Sequence, residues 1–179
     1  MTKRQTPTRR RFEIRSGWLA LTALAAQLLI IYAGFGGAAD LRRFVFPTSY
    51  VLLTAFVALN WRRLGFLVIG VGMFLNFLPV VANGGLMPIS PESMQSAGLE
   101  DELVGLEPGD PVPQSKNVLL EEEDTQLQWL SDRFSFDSPG PVTVFSIGDV
   151  IIGAGLIVLA LELMVPAVQR LGRRRPSPT

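Results

Sequence analysis

The chain contains no cysteine and no histidine. Without cysteine there is no disulfide framework, no thiol nucleophile and no thiolate metal site. Without histidine the commonest general base and the commonest metal ligand are both missing. Lysine is scarce as well, represented by Lys3 and Lys116 alone. Any catalysis would therefore rest on carboxylates, hydroxyls or one of two amines. There is also no phosphate-binding glycine loop, no dinucleotide fingerprint and no serine nucleophile elbow. No catalytic, cofactor-binding or metal-ligating residue is assigned, and no cofactor is expected.

Apolar residues make up an ordinary 48% of the chain, but they are gathered into blocks. Four charge-poor stretches stand out, at about 17–39, 44–60, 64–82 and 147–165. About 20 apolar residues at 1.5 Å each cross a hydrocarbon core of about 30 Å. Backbone polar groups find no water there, so such a run must be helical. The expected fold is an all-α membrane protein, a four-transmembrane-helix bundle over residues 17–166. Gln27 and Tyr32 interrupt the first span, Pro47 lies in the first turn of the second, and Asn76 and Pro79 lie inside the third. Tight turns are expected at 40–43 and 61–63.

Residues 83–142 form a loop of about 60 residues that holds 12 of the 16 acidic residues, opposed only by Lys116 and Arg133. Orientation follows the basic residues near span ends. The tails 1–16 and 167–179 together with Arg62 and Arg63 carry 12 basic residues, against four on the other side. This places both termini in the cytoplasm and the acidic loop outside. Orientation and contact with anionic lipid account for the basic tails, and nucleic-acid binding is not expected. The expected partners are the lipid bilayer and either another protein or a second copy of the chain. A rival reading takes Thr8-Arg9-Arg10-Arg11-Phe12 as a twin-arginine export signal cleaved near Gly36-Gly37-Ala38. The length of the apolar run, Glu13, and the spans that follow at once weigh against cleavage.

The sharpest local signal is Ser146-Ile147-Gly148-Asp149 ahead of an apolar run. It predicts a capping box, in which Ser146 and Asp149 each satisfy the other's backbone N–H. Phe145 and Val150 are spaced for the accompanying hydrophobic staple. The functional alternative is an intramembrane carboxylate, but Asp149 falls near the outer interface, which favours the cap. Asn83-Gly84-Gly85 predicts a helix end, and Ser90-Pro91-Glu92 predicts the start of a short surface helix that Gly98 stops. The alternative there is a binding turn beside Asp149. Gly72, Asn76 and Asn83 share a helix face, read as packing with Asn76 hydrogen-bonded to Gln27, or alternatively as the lining of a path. Glu162, poorly placed beside a helix C-terminus, is expected to pair with Arg62 or Arg63. Val118-Leu119-Leu120 and Leu127-Gln128-Trp129-Leu130 predict a hairpin around the acidic turn Glu121–Asp124. That turn lacks the spacing of an ordered calcium loop.

Several of these pieces together resemble a known family. They are Ile14-Arg15-Ser16-Gly17-Trp18 with Gln27, Asn60, Asn76, Asn83 through Ser90, Lys116 through Leu120, and Ser146 through Val150. The chain is similar over about residues 13–160 to the bacterial domain of unknown function 5317. The family carries one more apolar segment before the Arg-Trp stretch, where this chain has a basic tail. The resemblance implies a bacterial envelope membrane and no particular activity. It groups Asn83, Gly84, Gly85, Met87, Pro88, Ser146, Gly148 and Asp149, with Asn76, as an outer-face polar cluster. The expected role is a non-enzymatic structural or interaction module of the bacterial cell membrane. The alternatives are an oligomeric transporter or channel subunit and, last, an intramembrane enzyme using Asp149 or Glu162.

Overall fold

The computed structural model describes residues 14–32, 38–136 and 144–172, with backbone alone at 38–40 and 166–172. The export-signal motif, its cleavage site, most of both basic tails and the stretch 33–37 of the first expected span lie outside the described residues. The chain is mostly helical: α1 (Gly17–Tyr32), α2 (Ala38–Leu59), α3 (Leu64–Ala82), α4 (Pro91–Ser96) and α5 (Ile147–Gly172). Among the described residues three helices are long and apolar enough to cross a membrane, over Leu41–Leu59, Leu64–Ala82 and Ile147–Val165. Each such stretch has 19 residues, about 28 Å at the helical rise. The described part of α1 is apolar but shorter, at 16 residues.

The long helices pack in chain order, α1 on α2, α2 on α3 and α3 on α5. The α3–α5 contact is the closest, because glycines remove side chains where the backbones meet. A Cβ at Gly72 would lie 2.6 Å from the Gly148 carbonyl, and a Cβ at Gly155 2.7 Å from the Ile69 amide. Val57, Phe66, Ile69 and Met73 form the core between these helices. Their outer faces stay apolar: Leu21, Leu29, Phe74, Leu156 and Ile157 are all exposed. In water such a surface would be an aggregation hazard. Against lipid it needs no cover.

The expected turn at 40–43 is not a turn. The second helix starts at Ala38, so Arg42 and Arg43 lie in its first turns. Both reach into the 83–136 segment. Arg42 Nη1 donates to the Val112 carbonyl at 3.2 Å and Arg43 Nη2 to the Gly109 carbonyl at 2.9 Å. Gly85 fits against this helix end because it has no Cβ: one would sit 2.2 Å from the Arg43 carbonyl oxygen, and its φ of +97° suits glycine.

Residues 83–136 build a cap with a small core of Ile89, Met94, Val112 and Leu119. Strand β1 (Met87–Ile89) pairs in parallel with β2 (Asn117–Leu119), and α4 lies in the crossover between them, as a parallel pair requires. Ser90 caps α4 by accepting the Ser93 N–H at 3.1 Å, with Pro91 at the first helical position and Gly98 at φ +69°, as the sequence predicts. The hairpin expected around the acidic turn does not form. Both edges of β2 are already occupied, one by β1 and the other by Gly109–Val112, where Leu119 donates to the Asp110 carbonyl and Val112 to that of Asn117. Gln128–Leu130 is instead a 3-10 turn, and the antiparallel pair is β3 (Phe134–Ser135) with β4 (Val144–Phe145). Phe145 packs on Phe134 at 6.0 Å, and Val150 is exposed, so no staple between Phe145 and Val150 is evident.

Candidate functional site

The polar residues at the cap end of the α3–α5 pair join those of the cap in one network. Its base is the predicted capping box. Asp149 N–H donates to Ser146 Oγ at 3.1 Å, and Ser146 N–H donates to Asp149 Oδ2 at 3.1 Å. Asn76, buried on α3, completes it from the side. Its Nδ2 donates to Asp149 Oδ1 at 2.7 Å, and its Oδ1 accepts from Ser146 Oγ at 2.7 Å. Gly148 makes this approach feasible, since a Cβ there would fall 1.9 Å from Asn76 Oδ1. Asn76 therefore partners α5 and not Gln27. Gln27 bonds to Ser49 Oγ at 2.5 Å, because α2 stands beside α1 while Asn76 faces α5.

Above the box sits Lys116. Its Nζ lies 3.2 Å from Asp149 Oδ2 and 3.2 Å from Asp132 Oδ2. Asp132 has no exposure and is held further by Asn117 Nδ2 at 2.9 Å. Burial by itself would lower the Lys116 pKa, but Asp132 and Asp149 together, with Tyr50, outweigh it and hold the ammonium above its ordinary range. Burial pushes the Asp132 carboxyl up, against the opposing pull of Lys116 and Asn117. Tyr50 of α2 faces the same cluster. Hydrogen bonds and ion pairs made inside a protein are strengthened by low polarity, and the same low polarity makes an unpaired member costly.

The expected outer-face cluster is therefore divided. Asn76, Ser146, Gly148 and Asp149 meet as one unit. Met87 and Pro88 reach it only through strand pairing: Met87 N–H donates to the Lys116 carbonyl at 3.1 Å, and the Pro88 carbonyl accepts from Asp132 N–H at 3.3 Å. Asn83, Gly84 and Gly85 are used elsewhere. Asn83 exchanges two hydrogen bonds with the Gln126 backbone, at 2.8 and 2.9 Å. Gly84, at φ +79°, lets Gly85 N–H close on the Val80 carbonyl at 2.7 Å, the helix-ending motif the sequence predicts. Lys116, Asn117, Asp132 and Tyr50 are members that the candidate set did not include. A lone lysine inside an acidic loop, one residue short of the apolar run Val118-Leu119-Leu120, was the available signal for Lys116. Asp132 beside Arg133 looks like a surface pair in the sequence and gives no such hint.

At the other end of the bundle, Glu162 accepts from the N–H groups of Leu64 and Gly65 at 3.2 and 3.3 Å. Its carboxylate thus serves the positive N-terminus of α3, and it does not stand beside the end of its own helix as expected, because α5 runs on to Gly172. Arg63 stands beside it, lining the same open hollow. Asp149 lies in the first turn of α5 and Glu162 lies 13 residues further along the same helix, about 20 Å away at the helical rise, so they form no carboxylate pair. Among the described residues no group of three or more acidic side chains is placed to hold a metal ion.

The chain belongs to the family of unknown function DUF5317, whose model matches residues 11–161. No curated protein and no solved structure matches it.

Proposed function

We propose that the protein is a four-span module of the bacterial cell membrane with both termini cytoplasmic, and that its extracytoplasmic cap is a rigid platform for interaction, not an active site. The observation that carries this reading is the ring of bonds among Lys116, Asp132, Asp149, Asn76 and Ser146. These groups bond to one another and clamp the cap onto α3 and α5, with Lys116 and Asp149 keeping some exposure. A catalytic or ion-carrying carboxylate needs a partner to exchange, whereas Asp149 spends its oxygens on Asn76, Lys116 and the Ser146 backbone. The same argument weighs against a transport path along Asn76. The fourth span is the apolar stretch that begins at Gly17, of which Gly17–Tyr32 is the described helix. The basic bias of the sequence supports the orientation. The exposed Trp18 and Trp61 at one end and Trp129 at the other suit two membrane interfaces.

A chain free of cysteine makes the topology directly measurable. In intact cells a membrane-impermeant maleimide should label Ser96→Cys and should label Arg62→Cys only after lysis. The reverse pattern would overturn the orientation, and a protein that stays folded and dispersed without detergent would overturn the membrane reading itself. For the interaction role, purification in mild detergent should retain a stoichiometric protein partner or a second copy. A lone monomer would count against it.

A further inference from the structure

Between the outer end of α1 and the cap lies a cavity of about 570 Å³, a size typical of small-molecule sites. One part of its wall is apolar and includes Ile31, Leu99, Val112 and Val144. The other part is polar: Tyr32, Glu102, Gln114, Ser115, Lys116 and Asn117. We propose that this cavity binds a zwitterionic, amine-bearing phospholipid headgroup, with the phosphate at Lys116 and the ammonium at Glu102. The inference rests on the membrane reading above, since that reading puts the last turn of α1 at the level of the outer headgroups.

Three observations support it. First, the cavity borders the last turn of the apolar helix α1 at Ile31 and Tyr32, where an amphiphile keeps its chains beside α1 and its head against the cap. Second, its described lining holds one cation and one anion, Lys116 and Glu102. A purely anionic head would meet Glu102, and behind Lys116 the carboxylates of Asp132 and Asp149. A purely cationic head would meet Lys116. A head carrying both signs answers both. Third, Lys116 retains capacity. An ammonium has three donors, Asp132 and Asp149 engage two, and the side chain keeps 29% of its exposure. Gln114 adds a positive φ of 48° at the rim, an unfavourable backbone conformation of the kind found at ligand clamps.

The test is native mass spectrometry of the full-length protein in mild detergent. Dimyristoyl phosphatidylethanolamine and dimyristoyl phosphatidylglycerol are added in equal amounts, and free phosphoethanolamine is added separately. The expected result is a preference for the ethanolamine lipid of about tenfold, the scale of one charge-assisted hydrogen bond, with no adduct of the free headgroup. Glu102→Gln should abolish the preference, as should Leu99→Trp, which fills the cavity from its wall. Leu156→Ala, on the outward face of α5, should retain it. Equal occupancy by the two lipids would overturn the proposal. So would uptake of the free headgroup as strong as that of the lipid, or a preference that survives Glu102→Gln. Glu102 is exposed, so that variant tests the site even if Leu99→Trp misfolds. The maleimide pattern reads topology alone, so loss of lipid preference with that pattern intact removes the site and leaves the membrane reading standing.

Discussion

At Lys116 a single ammonium faces two carboxylates from different parts of the chain, Asp132 in the cap and Asp149 at the start of α5. Removing it leaves Asp132 buried with a charge and no counter-ion. Breaking one side of such a pair costs about 3 kcal/mol or more, mostly because of the orphaned partner. Lys116→Met should therefore lower the thermal midpoint in detergent sharply. Adding Asp132→Asn to it should recover much of the loss, so that the double variant costs well below the sum of the two single ones. Unfolding curves of the four proteins check this, and strict additivity would mean that the two residues are not coupled. The pH dependence has a definite sign. The folded pKa of Lys116 is raised above its ordinary 10.5. The stability it contributes is fully present below about pH 10.5 and is lost as pH climbs through the folded value. The gap in melting temperature between the wild type and Lys116→Met should stay level up to that pH and narrow above it.

The α3–α5 pair depends on missing side chains more than on added ones. Gly148→Ala would drive a methyl group into Asn76, and overpacking of this kind costs about 1–3 kcal/mol. Gly153→Ala on the same helix is the matched control. A Cβ there meets nothing within 4 Å, and alanine in a helix interior gains about 0.5–1 kcal/mol over glycine. The two substitutions should move the unfolding midpoint in opposite directions. Within this pair the helix ends were legible from sequence. Ser146 and Asp149 are three residues apart, and a capping box needs nothing beyond that spacing. The partner of Asn76 was not legible, because it depends on which helix stands beside α3. Gln27 of α1 is the partner expected from sequence, whereas α5 stands beside α3 and the glycines at 72 and 148 let the two backbones meet.

Across the whole molecule the cap is fastened at two places, by the charge network over α5 and by Arg42 and Arg43 at the head of α2. In the proposed orientation those two arginines lie on the side with fewer basic residues, where they donate to cap carbonyls. Arg43→Ala should free the Gly109 carbonyl and loosen that edge of the cap. Hydrogen exchange should rise in peptides covering 107–120 and stay unchanged in α3. Protection unaltered in 107–120 would show that Arg43 does not hold that edge of the cap.

The amino-acid sequence by itself determined what is encoded within a few residues: the apolar blocks, the glycine-ended α3, the capped starts of α4 and α5, and the exclusion of thiol and imidazole chemistry. Helix caps and hydrophobic runs are local, so their signals survive in one dimension. Only the tertiary structure decided that β2 takes β1 and Gly109–Val112 as neighbours, leaving no edge for the acidic-turn hairpin. It also decided that Asp132 and Lys116 belong with Asp149 and Asn76, and that Glu162 serves the start of α3. These pairings join groups far apart along the chain. Which charges meet is set by how helices and strands pack, and no spacing in the sequence records it.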